Sequence, residues 1–196
     1  MQKYLVPALA AFVVAFAINF GFSAFLASAG ARDDNTGLLV GMVFGGLTAL
    51  AVYNLSGNRR TANAGAEARQ RALAFTPTPG KAALYLVRTG FVGKMAGMDL
   101  TIDGRAVAQL KSPRFTRIDI MPGAHTLTAS FGGGLAGQTK PADLAFNCAE
   151  GETVVIKLSM SMGALKSPVN IERTSIESVR DQLRSMRMTA PEADAP

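Results

Sequence analysis

His125 is the only histidine and Cys148 the only cysteine in this 196-residue chain, which narrows the chemistry it can carry. General acid–base work by His125 would need a carboxylate or nucleophile brought to it from elsewhere in the fold. It sits just after Pro122-Gly123, where a structural hydrogen bond at a strand start is the simpler role. With one His and one Cys, a tetrahedral metal site would draw its remaining ligands from carboxylates, so no metal and no cofactor are expected. Met95, Met98, Met160, Met162, Met186 and Met188 could suggest Cu(I), which thioethers favour. In a strand, however, Met-x-Met sends both side chains to one face, and core packing accounts for them. Asp99, Asp103 and Asp119 are the acids nearest the turns and read as solvated hairpin residues. No catalytic residue is assigned, and the chain is read as not an enzyme.

Two glycine-rich stretches remain. Residues 132–137 (GGGLAG) lack the Gly-Lys-Ser/Thr ending of a phosphate loop and precede a strand instead of a helix, so they read as a mobile hairpin tip. In residues 90–94 (GFVGK), Phe91 and Val92 fall on a loop, where exposed apolar residues mark a possible partner contact. A lone cysteine allows no intrachain disulfide, which fits a reducing compartment.

The elements that must position these residues divide the chain. Residues 5–29 contain no charged side chain, and neither do residues 37–55; each is long enough to cross roughly 30 Å of hydrocarbon as a helix. The polar link 30–36 makes the two helices antiparallel neighbours. Gly37, Gly41 and Gly45 form a GxxxGxxxG face, matched on the first helix by Ala10, Ala17, Gly21, Ala24 and Ser28. Such faces mark close helix packing, within the hairpin or between copies. Asn19 reads as an interhelical hydrogen bond, because a transport path shows several ionisable groups at membrane depth. Residues 27–29 (ASA) satisfy a signal-peptidase rule, but the apolar region is long and its start weakly basic, which favours an uncleaved helix. Arg59, Arg60, Arg69 and Arg71 follow the second helix. By the positive-inside rule they place both the start and everything beyond residue 56 in the cytoplasm, with Arg59 and Arg60 at the lipid headgroups.

Residues 56–79 read as a stalk or linker: good helix formers with few apolar anchors, stopped by Pro77 and Pro79. From Lys81 the apolar period becomes alternating. Strands are expected near 82–89, 98–103, 105–110, 115–121, 124–131, 141–147, 153–161 and 169–173. Asp103-Gly104 is a hairpin turn, and Pro122-Gly123 and Glu150-Gly151 mark two more. Ile176, Val179, Leu183 and Met186 recur at helical spacing and predict a short closing helix. The tail, 189–196, reads as disordered. The fold class expected is therefore an α+β membrane protein: a transmembrane helical hairpin over 1–55, then an antiparallel β-sandwich over 80–188 with a short C-terminal helix.

Of the net charge of +6, the basic residues flanking the apolar helices supply a large share. From Lys81 onward there are 14 basic and 11 acidic side chains, an ordinary mixed surface, so nucleic acid is not an expected partner.

The order of motifs Gly80-Lys81-Ala82, Tyr85-Leu86-Val87-Arg88, Ile102-Asp103-Gly104 with Val107 and Leu110, Pro122-Gly123-Ala124-His125-Thr126-Leu127 and Gly151-Glu152-Thr153-Val154-Val155-Ile156 resembles the bacterial domain of unknown function numbered 2846. It is similar in pattern to PEGA-type surface modules as well. The resemblance spans about residues 80–175 and implies a small β-sandwich carried by envelope-associated bacterial proteins without established catalysis. That family is often lipid-anchored through a cysteine, which this chain lacks, and it leans extracytoplasmic, against the arginine reading.

The functional expectation is a non-catalytic, membrane-anchored interaction module of the bacterial inner membrane, multi-pass, with the β domain cytoplasmic. Its expected partners are the lipid bilayer and either another protein or a second copy through the transmembrane helices. The alternative is an envelope glycan- or lipid-binding domain, possibly enzymatic, if the β domain is periplasmic.

Overall fold

A computed structural model describes residues 2–28, 34–164 and 166–192. The chain divides into two compact units: 1–57 with 133–135, and 58–132 with 136–196.

The first unit is a helix pair, α1 (Gln2–Ser28) and α2 (Asp34–Leu55). Part of the expected inter-helix turn, 29–33, and hence part of the 27–29 cleavage motif, lies outside the described residues. Phe12, Phe16 and Phe20, spaced by four, stack along α1 with ring centroids 5.9 and 5.7 Å apart. This ridge fits notches in α2: a β-carbon on Gly41 would lie 3.3 Å from the Phe16 ring, and one on Gly45 3.1 Å from Phe12. The contacts run in opposite chain directions, so the helices are antiparallel. Gly21 has open space around it and Ala17 is exposed. The surroundings of Gly37 lie outside the described residues. Asn19 bonds its own helix, donating from Nδ2 to the Ala15 carbonyl at 2.8 Å.

Among the described residues no helix is long and apolar enough to cross a membrane. The expectations of a transmembrane hairpin, of a membrane protein with transmembrane helices and of a multi-pass inner-membrane location are corrected accordingly. The N-terminal element is a packed pair of apolar helices. Large side chains are exposed on both, among them Leu9, Val13, Ile18, Phe44 and Leu47.

Among its described residues the second unit contains ten strands: β1 (Ala82–Arg88), β2 (Met98–Ile102), β3 (Arg105–Leu110), β4 (Arg114–Ile120), β5 (Gly123–Phe131), β6 (Thr139–Lys140), β7 (Ala142–Cys148), β8 (Thr153–Met160), β9 (Ser167–Thr174) and β10 (Arg187–Met188). They form two sheets, ordered β10-β4-β1-β8-β9-β6 and β3-β2-β5-β7. The four-stranded sheet is antiparallel throughout. The six-stranded sheet is mixed, which corrects the expected all-antiparallel sandwich: β1 runs parallel to β8, β10 to β4 and β6 to β9.

The reason lies in β1, every residue of which is buried. Leu84 and Leu86 face the four-stranded sheet. Ala83, Tyr85 and Val87 join a second cluster on the opposite face, with Phe115, Val155, Leu183, Met186 and Met188. Two short helices supply that outer layer, α3 (Ala66–Leu73) through Ala72 and α4 (Arg180–Ser185) through Leu183. A strand covered on both faces is the kind that tolerates parallel neighbours. The Tyr85 hydroxyl donates to the Ala72 carbonyl at 2.5 Å, so α3 belongs to the β unit instead of a free stalk. Residues 189–192 are held as well, where a disordered tail is expected: the amide of Thr189 bonds Phe115 O at 2.8 Å and that of Glu192 bonds Val107 O at 2.8 Å. Residues 193–196 lie outside the described residues.

Candidate functional site

The loop 89–97 between β1 and β2 carries two exposed apolar side chains of the β unit. Phe91 is 85% exposed and Met95 69%; Val92 is half-buried. Its backbone is nevertheless tied down on every side. Gly90 and Gly93 hold φ of 95° and 64°, a left-handed geometry that glycine adopts without steric cost. Lys94 N–H bonds Phe91 O at 3.1 Å, and Ala96 N–H bonds Gly93 O at 3.1 Å. From the strand β4 side, Ser112 donates its hydroxyl to Gly90 O at 2.7 Å and its amide to Lys94 O at 3.2 Å. Asn58 donates to Met95 O at 3.0 Å and accepts from Gly97 N–H at 2.5 Å.

Beneath the loop lies Arg88, only 1% exposed. Period-two alternation puts it on the inward face with Leu84 and Leu86. Its guanidinium donates to Ala96 O at 2.5 Å, to Gly93 O at 2.6 Å and to Leu110 O, and it lies 5.0 Å from the centroid of the Phe131 ring. Among the described residues no carboxylate is paired with it, and burial lowers its pKa to about 10. Arg88 was not legible as a site residue from its type alone. The signal available was a cation in phase with buried leucines at the end of an apolar strand.

His125 is brought to Asp103 across β2 and β5, with Nδ1 to Asp103 Oδ2 at 2.7 Å. Asp103 and Gly104 both have positive φ, 51° and 80°, the conformation of a type I′ hairpin turn. The second ring nitrogen meets Met121 O at 2.8 Å, and Cys148 Sγ points at the same carbonyl at 3.5 Å. Burial pulls the His125 pKa down, but the bonds to Asp103 and Met121 and the carboxylate charge outweigh it, and the net direction is up. Asp103 is lowered by the His125 bond and by the Thr126 N–H. Asp, His and Cys thus converge, but the imidazole and thiol both turn to the Met121 carbonyl instead of to each other. That is the geometry of a clamp on the 121–123 turn and not of a base poised against a nucleophile.

The remaining candidates lie apart. Arg59 reaches Asp99 and Glu192, each at 2.8 Å, within the β unit, while Arg60 is exposed. Asp119 is held by Arg117 at 2.9 Å and Thr78 at 2.5 Å. Met98, Met186 and Met188 are buried, whereas Met95 and Met162 are exposed. Among the described residues no three His, Cys, Asp or Glu side chains gather as a metal ion would require. The glycines at 133 and 134 are packed, not a mobile tip. Residues 133–135 form a 3-10 turn belonging to the helical unit, where a β-carbon on Gly134 would meet Tyr53 at 2.5 Å.

No protein-family model and no curated protein matches the chain. The reading of the site therefore rests on its geometry.

Proposed function

We propose that this chain is a non-catalytic interaction module whose β unit presents the 89–97 loop to a partner protein. The observation that carries this reading is Phe91, an exposed aromatic side chain on a loop immobilised by a buried arginine. Exposed aromatic anchors dominate binding energy at protein interfaces. A loop already fixed in one conformation gives up little entropy when it binds. For the helical unit, whose apolar side chains form a surface too extensive to stay wet, lipid acyl chains or a second copy are the partners proposed.

The test is site-specific photocrosslinking in the producing cell. A benzoylphenylalanine replacing Phe91 is expected to give a discrete adduct to another protein, and one replacing exposed Glu172 is not. Excess full-length chain should compete the adduct away, while the Phe91→Asp chain should not. Equal labelling from both positions, or no adduct from residue 91, would sink the proposal.

A further inference from the structure

The opposite end of the six-stranded sheet carries an unfilled place in its ladder. Strand β4 pairs along its whole length with β1 on one side. On the other side, among the described residues, only Arg114 and Phe115 are paired, with the two residues of β10. Because Phe115 O accepts the Thr189 amide, Phe115 points its backbone groups outward. Alternation in an antiparallel ladder then turns those of Arg117 and Asp119 outward as well, while Thr116, Ile118 and Ile120 bond to β1. Past Thr189 the chain leaves this edge for β3, where Glu192 bonds Val107.

What it leaves is a cleft of about 450 Å³ along Arg117, Ile118 and Asp119. Arg71 of α3, Lys81, Met188 and Glu192 line it as well. Its acids are already engaged: Asp119 by Arg117 and Thr78, and Glu192 by Arg59. Lys81 has no carboxylate partner among the described residues, and Arg71 meets only Glu67, at 3.7 Å on the open surface.

We infer that this cleft is a strand-addition site for an extended, acidic peptide segment of a partner protein. The segment adds to β4 through the open backbone groups of Arg117 and Asp119 and places a carboxylate against Lys81. Two observations set the occupant. The edge already accepts a parallel strand at 114–115, so its geometry suits backbone pairing; and the one side chain at its rim left without a counter-charge is a cation. Main-chain bonds supply affinity in this mode of recognition and the flanking side chains supply selectivity. The site is independent of the Phe91 loop, which lies at the other end of β1.

The experiment uses the full chain, with a nonionic detergent covering its apolar helices, and a pool of fluorescent heptapeptides alternating valine with aspartate or threonine. Hydrogen exchange of the free protein should show fast amides at Arg117 and Asp119 between slow ones at Thr116, Ile118 and Ile120. Saturating peptide should slow those two amides at least tenfold. The same peptides N-methylated at alternate amides should bind at least tenfold more weakly, as should the unmodified peptides to Lys81→Glu. N-methylation leaves the protein untouched, so this comparison stands even if the variant folds poorly. Amides already slow in the free protein, protection that rises with protein concentration alone, no saturable binding, or indifference to N-methylation would each overturn the inference. The second of these results would identify the occupant as another copy of the chain.

Discussion

Replacing Arg88 by methionine removes a charge that costs free energy to bury and a set of donors that the loop needs, and the balance can be worked out. A guanidinium held at about 10 against an ordinary 12.5 carries a burial cost of about 3 kcal/mol, at about 1.36 kcal/mol per pH unit. Methionine relieves that cost. It also leaves the buried carbonyls of Ala96 and Leu110 without this donor, while Gly93 O keeps the Ala96 N–H. Orphaned buried polar groups cost about 1–3 kcal/mol each, so about 4 kcal/mol for two. Loss of the contact with Phe131 adds about 1 kcal/mol. The net expectation is a β unit destabilised by about 2 kcal/mol. Urea unfolding of the full chain in detergent, followed by hydrogen exchange in the β1 segment, isolates that unit from the helices, which need not unfold with it. Below the transition, the Lys94 and Ala96 amides should exchange faster in the variant. Arg88→Lys keeps the charge but not the planar fork, so it should fall between the two. A loss under about 1 kcal/mol for Arg88→Met would refute the reasoning, because it would mean that the loop holds itself.

Two further outcomes follow from the geometry. The sole histidine gives an unambiguous NMR titration: His125 should titrate above 6.5, and Asp103→Asn should lower its value, since burial then meets less opposition. Because the folded value is raised, the His125 contribution to stability is complete below pH 6.5 and fades as pH rises through the folded pKa. The Asp103 contribution, from a lowered pKa, is lost instead as pH falls through its own folded value, so the clamp is strongest between the two. A His125 titration at or below 6.5 in the unaltered chain contradicts this. In the helical unit, Gly45→Leu should overpack against Phe12 and lower the melting of the helical circular-dichroism signal, at a cost of about 1–3 kcal/mol. Gly46→Leu, which enters open space, should leave the melting unchanged; equal effects would place the helix contact elsewhere.

Much of the β unit was legible because its signals are local. Asp103-Gly104 specifies its turn through two positive φ angles, and the alternation in 115–121 and 124–131 fixes which side chains face in. The parallel pairing of β1 with β8 was not legible, since no short-range signal links strands so far apart in sequence. The unbroken apolar run in β1 nevertheless held the hint of burial on both faces. Arg88 escaped because charge suggests the surface, whereas phase with Leu84 and Leu86 places it inside. The glycines at 132–137 misled in the opposite sense: absence of side chains serves close approach as readily as mobility. The two apolar helices were legible as helices, but the glycine series of the second did not reveal that its partner is a phenylalanine ridge spaced by four on the first. Of the candidate site, the sequence pointed to Phe91 and Val92 but not to Asn58, Ser112 or Arg88, which fix them from distant positions.

The stitching of 62–64 to 187–190 bears on how the chain is made. Ala64 N–H bonds Met188 O, Ala190 N–H bonds Ala62 O, and Asn63 bridges Thr189. Synthesis proceeds from the amino end, so the segment that opens the β unit has no partner until nearly all of it has left the ribosome. Contacts between positions so distant in sequence form late and slowly. A nascent chain stalled before Arg187 therefore has its sheets but not their fastening, and its Phe115 edge stands open to other strands, the exposure through which incomplete chains aggregate.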